Sequence, residues 1–179
     1  PNFPEKFITF PEVLKENGYK TGFTGKGWAP GKAMKNGEKR NLIGPVYNQI
    51  KLTPPGKFIS NIDYFENFKM FLKEKEKDEK FFFWVGGLEP HRAYEYKIGV
   101  NKGNKDTNST TDVPDFWPDS ENVRNDMLDY AYEIEYFDHH LVKIISELEK
   151  NGLLDNTLIV VTSDNGMPFP RVKGQVYPF

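Results

Sequence analysis

Three short polar clusters in this chain hold residue types that do chemistry, and each follows a run of β-forming residues: Gly25-Lys26-Gly27, Glu89-Pro90-His91-Arg92 and Asp164-Asn165. Lys26 lies between two glycines, which let a backbone approach a ligand closely, so its ammonium could meet an anion. No G-x-x-x-x-G-K-[ST] phosphate loop is present. His91 can serve as a general acid or base near neutral pH. The adjoining Arg92 can bind an oxyanion with two parallel hydrogen bonds. Asp164 and Asn165 offer the short carboxylate and amide oxygens that hard cations such as calcium take. Two ligands do not make a site, and Asp, Asn and Gly also form plain turns. Lys173, followed by Gly174 in a Pro-rich stretch, is a second candidate anion contact. Either lysine could equally be an ordinary exposed charge, and His91 could simply pack on Tyr94. His139 and His140 lie in a long helical pattern on or beside its polar face, and both read as structural.

Composition narrows the classes. The chain has 179 residues, of which 37% are hydrophobic and 28% charged, as in a soluble globular domain rather than a disordered tail. Fifteen Phe and nine Tyr supply ample apolar area for a core. A formal charge of −2 gives no dense cationic face for a nucleic acid. With no cysteine, disulfides, zinc thiolates and cysteine nucleophiles are excluded from this stretch. No apolar run approaches the roughly 20 residues of a membrane helix. Neither Pro1-Asn2-Phe3-Pro4 nor Val176-Tyr177-Pro178-Phe179 looks like a natural terminus, and both are expected to be cuts.

The elements that must position the clusters follow from periodicity. Phe10 to Asn17 predicts a short helix stopped by Gly18, and Tyr19 to Thr24 a strand emptying into a loop at Gly25. Residues 28–55 should be mostly loop, with a short strand near Val46 to Leu52. Asn61 to Lys77 predicts a helix with Ile62, Phe65, Phe68 or Lys69, and Leu72 on one side; the charged run from Lys73 to Lys80 is its solvated end. Phe81 to Val85 and Leu158 to Thr162 are apolar runs that suit strands covered on both faces, and they are expected to be neighbouring or near-neighbouring central strands. Lys97 to Pro114 should be a surface loop. From a cap at Ser120 or Asp119, a helix should run to about Lys150, packing an Ile134/Phe137/Leu141 stripe on the sheet. Helix-to-strand passages of this kind predict an α/β layered domain. In open α/β sheets chemistry gathers at the carboxyl ends of the strands, where all three clusters fall.

Taken in order, Leu14-x-x-x-Gly18-Tyr19-x-Thr21-Gly22-x-x-Gly25-Lys26, Phe82 to Pro90-His91, Gly152-Leu153-Leu154-Asp155-Asn156-Thr157-Leu158 and Thr162-Ser163-Asp164-Asn165-Gly166 resemble the sulfatase family over nearly the whole chain. Pro90-His91-Arg92 and Asn165-Gly166-Met167-Pro168-Phe169-Pro170 resemble its heparan N-sulfatase branch. The resemblance implies an alkaline-phosphatase-like α/β/α layered sandwich with a mostly parallel central sheet. Residues 1–179 would then form one partial catalytic domain, lacking the N-terminal nucleophile segment and the C-terminal region. It implies a formylglycine nucleophile made from Cys or Ser, expected outside this segment, and a Ca2+ ion with Asp164 and Asn165 among its ligands. Lys26 resembles the lysine that touches sulfate and nucleophile, His91 the histidine near the leaving group, and Lys173 the late basic residue on the sulfate. Arg92 would bind substrate. The implied substrate is a sulfated glycan or other small sulfated molecule, ester or N-sulfate, as in glycosaminoglycan degradation. The implied location is periplasmic, secreted or lysosomal.

This sequence departs from the family's pattern in three ways. The Cys/Ser-x-Pro-Ser-Arg motif and the early Asp pair are absent, as expected of an internal piece that would be inactive by itself. Trp28 stands where many members have a histidine. Two alternatives stay open: a phosphoester hydrolase of the same superfamily, and a non-catalytic glycan-binding relative. If the enzyme reading holds, Lys26, His91, Asp164 and Lys173 should face one pocket.

Overall fold

The computed structural model describes residues 2–28, 31–109 and 112–173. It divides into two compact units, one of residues 1–53 and 61–88, the other of residues 54–60 and 89–179. The first unit carries β1 (Asn2–Phe3), α1 (Phe10–Glu16), β2 (Tyr19–Gly25), β3 (Lys32–Lys35), β4 (Glu38–Lys39), α2 (Tyr64–Lys73) and β5 (Lys80–Gly86). The second carries α3 (Ile98–Asn101) and α4 (Glu121–Lys150), with 3₁₀ turns at Thr107–Ser109 and Leu154–Asn156.

The core of the first unit is a βαβ passage. β2 and β5 pair in parallel from Tyr19↔Lys80 to Gly25↔Gly86. Parallel neighbours need a crossover, and α2 supplies it. Alternation along β5 sends Phe81 and Phe83 to one face and Phe82 to the other. Phe83 meets Phe71 of α2 at 4.6 Å between ring centroids and Phe68 at 5.2 Å. Phe82 meets Phe10 of α1 edge-on at 5.1 Å. The apolar run therefore meets a helix on each face, but the cover is partial: Phe81, Phe82, Phe83 and Val85 are half-buried and Trp84 is 41% exposed. The buried side of α2 is Tyr64, Asn67, Phe68 and Phe71; of the expected stripe Phe68 is buried, and so is Ile62 just ahead of the helix, whereas Phe65 and Leu72 are half-buried. α2 starts on Asp63, whose carboxylate accepts the Glu66 N–H at 3.0 Å.

The stretch from 28 to 55 is more structured than expected. β3 pairs antiparallel with β4 and parallel with β1. The short strand expected near Val46 to Leu52 reduces to single bridges, Phe23 with Val46 and Lys51 with Ile62. Arg40 anchors this stretch to α1. Its guanidinium donates to both Glu12 carboxylate oxygens, at 2.5 and 2.6 Å, while Glu12 also accepts the Thr9 N–H at 2.8 Å. The Arg40 hydrogen bonds hold the Glu12 carboxyl at a pKa of about 2.

In the second unit α4 begins on Ser120, as expected, and ends at Lys150 with Gly152 at φ +65. Its buried face is Asn125, Leu128, Asp129, Glu133, His140, Ile144 and Leu148. This corrects the expected stripe: Ile134 is exposed, and Phe137 and Leu141 are only half-buried. His140 is buried against the Tyr136 ring rather than on a polar face. α3 packs on α4. Gly99 makes that approach possible, because a Cβ there would fall 2.4 Å from the Leu128 carbonyl oxygen. Asp129 reaches from α4 to accept the Lys97 and Gly99 N–H groups at 2.9 and 2.8 Å.

The second expected central strand is not there. Residues 158–162 carry no strand, and Leu158, Ile159, Val160 and Val161 are 89, 41, 73 and 72% exposed. A strand exists through its ladder, and no strand pairing to this run occurs among the described residues. What the structure shows is mixed α and β with small sheets, and the pairing of Phe81 to Val85 with Leu158 to Thr162 is overturned.

Candidate active site

At the carboxyl end of β2, Asn48 fixes the backbone that leads to Lys26. Its amide oxygen accepts the Gly25 N–H at 2.7 Å and its amide nitrogen donates to the Gly25 carbonyl at 3.1 Å. The Lys26 N–H donates to the Gly86 carbonyl at 2.7 Å, and the Trp84 indole N–H to the Lys26 carbonyl at 3.1 Å. Gly25 is at φ +75, and a Cβ there would meet the Gly86 oxygen at 2.0 Å. These glycines thus serve the close approach of two strand ends. The outcome is a rigid Lys26 backbone with an exposed side chain. Trp28 packs edge-on against Phe3 at 5.9 Å. Sequence reasoning passed over Asn48; the signal available was an Asn in a Gly/Pro-rich stretch.

His91 and Arg92 are exposed in the second unit, in the loop after β5. The His91 Nδ1 lies 2.5 Å from the Arg92 carbonyl oxygen. A carbonyl only accepts, so Nδ1 carries the hydrogen. Nε2 is then the ring atom left for proton transfer: a base in the neutral ring, an acid in the imidazolium. Arg92 donates to Asp126 of α4 at 2.6 Å and lies over the rings of Tyr94 and Phe169, at 5.2 and 5.3 Å from their centroids. Phe169 stands between Asp164 and Lys173 in sequence, so Arg92 touches the segment that carries those two candidates; Lys26 belongs to the first unit. The Trp117 indole N–H adds a second tie, donating to the Pro170 carbonyl at 2.8 Å.

Glu89 of this cluster belongs to a group of buried carboxyls whose other members, Asp129 and Glu133, sequence reasoning missed. Glu89 is buried, and its carboxylate accepts the Ser60 N–H at 2.7 Å. Glu133 is 1% exposed, and neither of its carboxylate oxygens has a hydrogen-bond partner among the described residues. Burial first, and then the charges of Glu89 and Asp129, raise its pKa to about 8. Burial also pushes the Asp129 carboxyl up, against the two backbone N–H groups it accepts. The available signal was the four-residue spacing of Asn125, Asp129 and Glu133 along one helix face.

Asp164 and Asn165 sit in an exposed bend, where the Ser163 hydroxyl donates to the Asn165 carbonyl at 2.6 Å. Lys173 is exposed, and its N–H donates to the Met167 carbonyl at 3.2 Å. Gly174, its expected companion, and the last residues 176–179 lie outside the described residues. Calcium takes roughly six to eight oxygens. Among the described residues no group of three or more His, Asp or Glu could hold a metal. Asp164 belongs to no such group among the described residues. No helix among the described residues is long and apolar enough to cross a membrane.

The Sulfatase family model matches residues 1–177. A curated ulvan-active sulfatase from Formosa agariphila is 34% identical over 65 residues, which are 36% of this chain and 11% of that protein. The human N-sulphoglucosamine sulphohydrolase is 34% identical over 65 residues, again 36% of this chain and 13% of the relative. The aligned part is thus a small share of each relative's length. No solved structure matches the chain.

Proposed function

Because the chain belongs to the sulfatase family, we propose that the whole protein hydrolyses a sulfate ester or N-sulfate on a glycan. The observation that carries the reading furthest within this chain is the His91 ring, whose Nδ1–H is held on the Arg92 carbonyl. That bond orients the ring and leaves Nε2 to deliver a proton. As the sulfur–oxygen or sulfur–nitrogen bond breaks, the departing atom gathers negative charge, and the imidazolium Nε2–H neutralises it. Lys26 and Lys173 are the proposed cationic contacts to the sulfate oxygens, where charge also accumulates. Arg92 is the proposed substrate-binding residue beside His91. Asp164 and Asn165 are two proposed ligands of a Ca2+ ion, which would polarise the sulfate when bound. The formylglycine expected of the family is proposed to come from outside this sequence, which has no Cys/Ser-x-Pro-Ser-Arg motif. A layered α/β/α sandwich and an extracytoplasmic location belong to the same proposal, because they follow from the family and not from these elements.

The glycan part of the reading rests on the names of the relatives, one ulvan-active and one acting on N-sulphoglucosamine. The test uses the full-length protein and its His91→Ala variant on two substrates. The aryloxide of an activated aryl sulfate leaves without a proton, whereas the sugar oxygen or nitrogen of a sugar sulfate needs one. His91→Ala should therefore lose on the order of 10²–10⁴-fold on the sugar sulfate and much less on the aryl sulfate. Equal losses on both would remove His91 from the leaving-group role. No turnover of either by the wild type would remove the enzyme reading.

A further inference from the structure

The second unit contains a cavity of about 350 Å³ whose lining includes Arg92, Trp117, Val123, Asp126 and Phe169. Its chemistry is divided. Trp117, Val123 and Phe169 make an apolar wall, tightened where the Trp117 and Phe169 rings pack at 5.1 Å and 32°. The polar edge is the Arg92–Asp126 ion pair, at 2.6 Å, with the guanidinium resting on the Phe169 ring.

From this division we infer that the cavity is a subsite for one uncharged sugar ring of the glycan, adjoining His91. The inference rests on the proposed function and supplies its substrate contact. Pairing with Asp126 offsets the positive charge of Arg92, so this edge suits a neutral partner better than a sulfate. Yet the pair keeps both polarities on offer. Arg92 uses its Nη2 on Asp126 Oδ2, which leaves further guanidinium N–H donors and the Asp126 Oδ1 acceptor side by side. Neighbouring hydroxyls of a pyranose, each able to donate and accept, match that edge. The C–H face of the same ring matches the apolar wall. Small-ligand pockets run from roughly 300 to 1,000 Å³, and a cavity at the lower end fits one ring rather than an extended chain. The guanidinium is already stacked on Tyr94 and Phe169, so little side-chain freedom remains to be lost on binding. The sulfate itself then belongs outside this cavity, and Arg92 reads the sugar.

The experiment measures binding of N-acetylglucosamine, a neutral unsulfated sugar, to the full-length protein by ligand-observed NMR, with inorganic sulfate present in excess. The variants are Val123→Phe, which fills the cavity, and Asp126→Asn, which removes the charged acceptor. Thermal unfolding of each variant checks that it folds. The expected result is saccharide binding that survives excess sulfate, falls at least 10-fold in Val123→Phe and falls several-fold in Asp126→Asn. No binding to the wild type, or equal binding to folded Val123→Phe, would overturn the subsite. So would a Val123→Phe protein that binds normally and melts higher, because the cavity would then be a packing void. Aryl sulfate turnover by the wild type, assayed separately, tells the two ideas apart. Turnover with unchanged saccharide binding in Val123→Phe sinks the subsite alone, and cavity-dependent binding without turnover sinks the enzyme reading alone.

Discussion

Replacing Glu133 by Gln should stabilise the protein, and only above about pH 5. Glu133 is buried without a hydrogen-bond partner among the described residues, close enough to Glu89 and Asp129 to feel both charges. Its pKa rises from 4.5 to about 8. Below 4.5 the carboxyl is protonated in folded and unfolded chains alike, and nothing is lost. Between 4.5 and 8 the unfolded chain ionises while the folded one keeps its proton, so stability falls by about 1.4 kcal/mol for each pH unit. Above 8 the loss is complete, at most about 5 kcal/mol, and relaxation around a buried charge brings this nearer 3. Gln keeps the size and removes the titration. Urea unfolding of wild type and Glu133→Gln from pH 4.5 to 8.5 should show a difference near zero at the acid end. It should grow to about 3 kcal/mol at pH 8, equivalent to roughly 6–12 °C for a chain of this size. Carbon-detected NMR titration of the Glu133 carboxyl gives its pKa directly. A stability difference constant across this range, or a Glu133 pKa below 6, would refute the reasoning.

Glu12 has the opposite sign. Its folded pKa is about 2 against 4.5 unfolded, so its pairing with Arg40 stabilises above 4.5 and is lost as pH falls towards 2. Glu12→Gln should lower the urea midpoint at pH 6 and change it little at pH 2. Phe71→Ala empties a fully buried site against Phe83 and Tyr47 and should cost about 3–5 kcal/mol in chemical denaturation. In the full-length protein, Asp164→Ala should weaken calcium binding at least 10-fold by calorimetry and reduce activity, with excess calcium restoring part of it. Unchanged calcium affinity would take Asp164 out of the ligand set.

The sequence was most legible where the chain makes its own structure locally. The stop at Gly18, the start at Ser120 and the stop at Gly152 are local events, and all three stand where the residue types put them. It was least legible where the partner decides. Phe81 to Val85 and Leu158 to Thr162 are equally apolar, yet only the first finds a ladder, residue for residue along β2. An apolar run says that burial is favourable; it does not say against what. The same logic turned the face of α4. A count of apolar residues selects Ile134 for the core, but the buried neighbour is Glu133, because Gly99 and Lys97 offer N–H groups to Asp129 one turn earlier. Those bonds set the rotation of the helix, and Glu133 is carried inward with it. His91 and Arg92 were visible as a reactive pair. Asp126 lies 34 residues further on, and no spacing in the sequence ties it to Arg92. Only its ion pair with Arg92 changes the chemistry on offer, from a lone cation suited to an oxyanion into a paired edge suited to hydroxyls. The residue types at the candidate site were thus readable in advance, whereas their pairing depended on a contact that spacing alone does not encode.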